Sequence, residues 1–170
     1  NMLDRGLTIL PTHRLVKEIP DDINTKLSEY FEIEKMINNF EISDKISDGK
    51  HVFGFFKNQD KFWYLLKYES GKLSEMPGLL EIDVIILHDL LFKKILRTTD
   101  IGYEMDLKKT LDKVRSGKFG AAFFLNPTKV EDVEKAALSS VRMPPKSTYF
   151  YPKLLTGIVI NSFSVFDGAD

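Results

Sequence analysis

His51-Val52-Phe53-Gly54-Phe55-Phe56-Lys57, then Asn58-Gln59-Asp60-Lys61, then Phe62-Trp63-Tyr64-Leu65-Leu66-Lys67-Tyr68, is the stretch that decides the fold. Both flanking runs are rich in aromatic residues, and the four polar residues between them read as a hairpin loop. In an extended second strand Phe62, Tyr64, Leu66 and Tyr68 share one face, and Trp63 and Leu65 share the other. Gly54 marks a bulge or a close backbone approach. An aromatic stripe can stack on a planar ligand, but core packing is its ordinary use.

Downstream, residues 79–96 are strongly apolar and predict the most buried helix of the chain. Asp83 is its expected N-cap, and Asp89 and Lys93 stand in the favourable i, i+4 order. His88, alone among apolar neighbours, reads as a hydrogen-bonded core histidine rather than a ligand. Residues 101–103 are a short strand candidate. Asp106 is expected to cap a helix that buries Leu107, Leu111 and Val114 and stops at Gly117. Residues 121–125 read as a fully buried strand. Asn126-Pro127-Thr128 then turns into a helix, with Thr128 and Glu131 as a capping box and Val130, Val133, Ala137 and Val141 as its buried stripe. This half predicts a crossover unit, and the hairpin before it predicts antiparallel pairing. Together they give one α+β domain over residues 1–170, with one mixed β-sheet and helices packed on it.

Upstream, the apolar run at residues 7–10 meets Pro11, which ends a strand or confines it to an edge. His13 and Arg14 follow, either as an exposed pair in a turn or as site residues at a strand end. Pro20-Asp21-Asp22 opens a helix with Ile23, Leu27, Tyr30 and Phe31 buried. Phe31 and Ile33 alternate with Glu32 and Glu34 as in a strand, whereas Ile33, Met36, Ile37 and Phe40 also fit a helix. Residues 43–50 are polar and carry the Asp48-Gly49 turn signal. Near the C-terminus, residues 158–160 read as the last strand and 167–170 as a frayed tail.

Composition narrows the function classes. Hydrophobic residues make up 43% of the 170, enough for a core, and 29% are charged. Twenty-four basic residues against 25 acidic ones argue against a nucleic-acid binder, which usually carries a basic excess. No run of about 18 apolar residues is present, so no membrane span is expected. The absence of cysteine excludes disulfides, thiolate metal sites and a cysteine nucleophile. A cytoplasmic setting is the expectation. The chain opens at Asn1-Met2 and reaches strand-like sequence almost at once, so it is expected to be part of a longer protein, with part of any site lying elsewhere.

The candidate chemistry sits in Met143-Pro144-Pro145-Lys146-Ser147-Thr148-Tyr149-Phe150-Tyr151-Pro152-Lys153. Its Lys-Ser-Thr invites comparison with a phosphate-binding P-loop. That comparison fails, because Pro144 and Pro145 stand where glycines would wrap the phosphate with their N–H groups. Side chains must then do the binding. Arg142, Lys146 and Lys153 can balance an anion, and Ser147 and Thr148 can hydrogen-bond it. In an extended segment Lys146 and Thr148 share a face and meet one phosphate or carboxylate. The other reading is a proline-braced edge strand with solvated lysines. The three histidines at 13, 51 and 88 show no metal-ligand spacing, and no metal or cofactor is assigned.

Three stretches also resemble an uncharacterised bacterial and archaeal family, domain-of-unknown-function family 1015. They are LTILPTHRLVK at residues 7–17, FLNPT at 124–128 and MPPKSTYFYPKLLTGIVI at 143–160. Ser139-Ser140-Val141-Arg142 departs from the pattern, which has a glycine shortly before the Met-Pro. The resemblance implies a protein more than twice this length, of which this chain is the C-terminal part. It implies an N-terminal domain similar to the ParB/sulfiredoxin group, which includes nucleotide-using serine kinases. Two functions are then in view. In one, His13, Arg14, Arg142, Lys146, Ser147, Thr148 and Lys153 complete a phosphate or nucleotide site, with phosphoryl transfer as its chemistry. In the other, the chain is a non-catalytic module that supports the N-terminal domain or a homo-oligomer.

Overall fold

The computed structural model describes residues 8–37, 42–58, 60–69 and 81–153. The strand expected at 158–160 and the tail at 167–170 lie outside them.

The hairpin forms as β4 (Val52–Lys57) and β5 (Trp63–Tyr68), antiparallel and in unbroken register from Val52↔Lys67 to Phe56↔Trp63. That register excludes a bulge at Gly54. A Cβ there would sit 2.8 Å from Ile46 Cδ1 and 3.2 Å from Phe124 Cβ, so glycine serves a close approach. Four further strands complete the sheet: β2 (His13–Val16), β3 (Phe31–Met36), β6 (Ile101–Glu104) and β7 (Ala121–Phe124). The order is β3-β5-β4-β7-β2-β6. The α+β class holds. Neighbours pair antiparallel throughout. The crossover unit is β6, then α4 (Leu107–Arg115), then β7. Its two strands run the same way, with β2 between them. Separately, β1 (Thr8–Leu10) pairs with β8 (Tyr149–Tyr151) in a two-stranded ladder.

Helices cover both faces, which explains why the strands are apolar on both sides. One face packs Phe53, Phe55, Leu66 and Phe123 under α1 (Ile23–Ser28) and α3 (residues 83–96). The opposite face packs Phe56, Trp63, Leu65 and Phe124 under α2 (Ile42–Asp48) and α4. The face assignment read from the alternation of β5 is therefore correct. Helix α3 begins with a turn at Asp83–Ile85 and continues in π-helical winding over Ile86–Leu96. Its buried residues fall at Ile86 and Leu87, then Leu90, Leu91 and Phe92. This spacing of four to five suits i→i+5 winding, and it is the most buried helix, as expected.

Several local readings need correction. Residues 43–50 are not a polar loop: Ile42 and Ile46, four apart, bury one side of α2. The ambiguous stretch from Phe31 resolves as strand β3 (Phe31–Met36), and α1 stops at Ser28 before it. Asp83 is not an N-cap, since Ile82 holds that position. Its carboxylate instead meets His51 Nδ1 at 2.7 Å. Asp106 does cap α4, accepting from the Lys109 amide at 2.7 Å, and the chain leaves that helix at Gly117 with φ 77°. Thr128 and Glu131 form no capping box. Lys129 is the N-cap of α5 (Val130–Leu138), and the Thr128 hydroxyl points elsewhere. In α5 Ala136 is buried, whereas the expected Ala137 is exposed.

Candidate functional site

His13 and Arg14 are not an exposed turn. Both lie in β2, between β6 and β7, at 5% and 2% exposure. Alternation along the strand sends them to opposite faces of the sheet. His13 packs its ring on Phe124 at 4.9 Å, and its Nδ1 is buried with no hydrogen-bond partner. Burial, reinforced by the Arg14 charge, lowers its pKa to about 4.

That shift has a measurable consequence. Above pH 6.5 His13 is neutral in both folded and unfolded chains. Between about pH 6.5 and 4 the unfolded chain takes up a proton that the folded chain refuses, so stability falls as pH falls. The loss approaches about 3 kcal/mol at the bottom of the window. Urea unfolding at pH 7 and pH 4.5 should show it, and His13→Gln should flatten that acid slope. An unchanged slope in the variant would remove His13 as its source.

Arg14 has a different task. Its guanidinium donates to the Thr12 carbonyl and, at 3.1 Å, to the Lys146 carbonyl. It also lies over the Tyr103 ring at 4.8 Å. Burial lowers its pKa to about 10, which leaves it charged at neutral pH. The next carbonyl along, that of Ser147, accepts from the Thr128 hydroxyl at 2.6 Å. The Ser147 hydroxyl in turn donates to the Pro144 carbonyl at 2.6 Å. Residues 144–147 are therefore a turn held by three side-chain bonds, not the extended segment expected. Lys146 sits at its apex with φ 58°, so it shares no strand face with Thr148. Its side chain is exposed, and its carbonyl is the part that Arg14 uses. Strand β8 follows, with Leu10↔Tyr149 and Thr8↔Tyr151 in register. Lys153 places its ammonium over the Tyr149 ring at 4.0 Å. Arg142 is exposed before the turn.

The three stretches that carry the resemblance thus meet in space. Arg14 comes from the first, Thr128 from the second, and both hold the turn of the third. Thr128 was expected to spend its hydroxyl on capping its own helix. Its partner lies 19 residues away, and no local pattern announces such a bond. Among the described residues no cluster of three or more His, Asp or Glu is placed to hold a metal ion, and no helix is long and apolar enough to cross a membrane.

The family described as "Protein of unknown function (DUF1015)" matches residues 1–91, more than half of the chain. The chain belongs to this family. The matched part of this DUF1015 chain includes β2 with Arg14 but stops short of the turn at 144–147. No curated protein matches it. Solved structures do. Free serine kinase in complex with AMP superposes with a TM-score of 0.54 at 12% identity, covering 88% of this chain and 56% of the kinase. A point mutant of free serine kinase in complex with ADP gives 0.55 at 12% identity, over the same shares of the two chains. A conserved hypothetical protein from Pyrococcus furiosus gives 0.53 at 15% identity, covering 88% of this chain and 58% of that one. These likenesses establish a shared fold. The chain spans a little over half the length of the structures it matches.

Proposed function

We propose that this chain supplies one wall of a phosphate- or nucleotide-binding site in a longer protein, where phosphoryl transfer is the chemistry served. The observation that carries the reading is the braced turn at 144–147. Strand β2 and the loop before α5 both spend side chains on fixing it, and it presents the exposed Lys146 ammonium at its apex. A backbone fixed in advance beneath an exposed cation suits anion recognition. Likeness in fold to a free serine kinase solved with AMP and with ADP supports the nucleotide class, although fold alone does not fix function. In this reading Lys146, Thr148, Lys153 and Arg142 face the anion, and the Ser147 hydroxyl holds the turn. Arg14 stands behind it and acts by positioning the turn, and His13 supports the same strand from the opposite face of the sheet. The opposite wall comes from an N-terminal domain of the ParB/sulfiredoxin type.

Calorimetric titration of the intact protein with AMP and ADP tests this. Lys146→Ala should weaken binding about tenfold, the worth of one charge-assisted contact, and leave the unfolding midpoint unchanged. Undiminished nucleotide affinity in that variant would refute the site.

One observation favours the second reading, a structural or interaction module. Arg14 is buried and bonded to backbone carbonyls, as a scaffold residue would be. On that reading Lys146→Ala alters docking of the N-terminal domain or oligomer size, and nucleotide affinity stays put.

A further inference from the structure

At the far end of β2 from His13 the chain leaves the sheet at Lys17. It borders there a cleft of about 950 Å³, walled by α1 and the last turns of α3. The braced turn is not part of it. Ile19, Ile95 and Leu96 give this cleft apolar surface. Four cations line it, Lys17, Lys26, Lys94 and Arg97. Three of the four cations are engaged. Lys17 pairs with Asp100 at 2.9 Å, Lys26 pairs with Asp22 at 2.9 Å, and Lys94 lies over the Tyr30 ring at 4.8 Å.

The fourth is Arg97. It is exposed and has no ion-pair or hydrogen-bond partner for its guanidinium among the described residues. It also occupies the position that ends α3, in the left-handed region with φ 52°. Glycine is the usual residue there, because a Cβ is strained in that conformation. A bulky arginine held in a strained backbone at the mouth of a cleft is an outlier that points to use. The π-helical winding that leads into it is a second feature frequent at functional sites.

We propose that this cleft binds a small organic monocarboxylate with an apolar body, and that Arg97 receives the carboxylate. The guanidinium fork matches a carboxylate bidentately. The cleft volume lies in the range of small-molecule sites.

4-Phenylbutyrate and its neutral amide, titrated into the intact protein, test the proposal. The carboxylate should bind saturably and the amide at least about tenfold more weakly. Arg97→Gly should raise the thermal midpoint by relieving the backbone while weakening 4-phenylbutyrate at least about tenfold. A merely structural Arg97 would not produce that opposition. Lys146→Ala should leave 4-phenylbutyrate affinity unchanged, which separates this cleft from the proposed phosphate site. Equal binding of the amide, wild-type affinity in Arg97→Gly, or no saturable binding of 4-phenylbutyrate would each overturn the assignment.

Discussion

Phe123→Ala should cost about 4 kcal/mol of folding free energy, read from the urea midpoint at constant slope. Phe123 is fully buried in β7, which is held by β4 on one side and β2 on the other. Its ring stacks on Phe55 at 4.8 Å and 10°. The Phe92 ring of α3 meets it edge-on at 5.6 Å and 85°. The side chain therefore joins the centre of the sheet to its most buried helix. Truncation removes the transfer free energy of a phenyl ring and leaves a cavity. A strand bonded on both edges has little freedom to move in and fill it. Against a typical total of about 5–15 kcal/mol, the loss is large. Phe123→Leu keeps most of the volume and should cost less than about 1.5 kcal/mol. A loss under about 1.5 kcal/mol for the alanine variant would show that α1 and α3 collapse onto the gap, against a strand pinned on both edges.

That core was legible because the code for it is local. Aromatic residues alternating across a four-residue polar turn specify β4 and β5, and the period of two assigns their faces. Asp106 and Gly117 bracket α4 by caps that act within one turn of helix. The readings that failed share another property: their partners are far away in sequence. Asp83 looked like a cap but pairs with His51 across 32 residues. Thr128 looked like half of a capping box but bonds a carbonyl 19 residues on. Helix α2 was missed because two isoleucines four apart carry its whole buried side, too little periodicity to stand out.

His13 and Arg14 show the same limit from the energetic side. Charged and imidazole side chains are usually exposed, so their sequence predicts a surface turn. They are buried because each finds an environment that only the assembled sheet supplies. Arg14 meets two carbonyls and an aromatic face, and His13 stays neutral beside Phe124. The cleft at Arg97 was equally invisible. Its walls come from the exit of β2, from α1 and from the end of α3, and no one of these carries a motif.

Arg14→Ala should cost about 4 kcal/mol, whereas Lys146→Ala should cost less than about 0.5 kcal/mol, although the two residues touch. Arg14 makes charged hydrogen bonds to two backbone carbonyls, each worth about 1.5–3 kcal/mol when its loss strands the acceptor. The contact with Tyr103 adds about 1 kcal/mol. Desolvation of the guanidinium, visible in its lowered pKa, offsets part of that sum. Lys146 lends only its carbonyl to the contact, and alanine keeps the carbonyl. The two variants thus separate bracing from binding. Arg14→Ala should also loosen the turn at 144–147 and raise amide exchange in the β1–β8 ladder beyond it. Nucleotide affinity should fall in both variants, through a displaced cation in one and a missing cation in the other. Equal stability losses in the two would mean that Arg14 does not hold the turn. The case for a pre-set anion wall would then lose its physical basis.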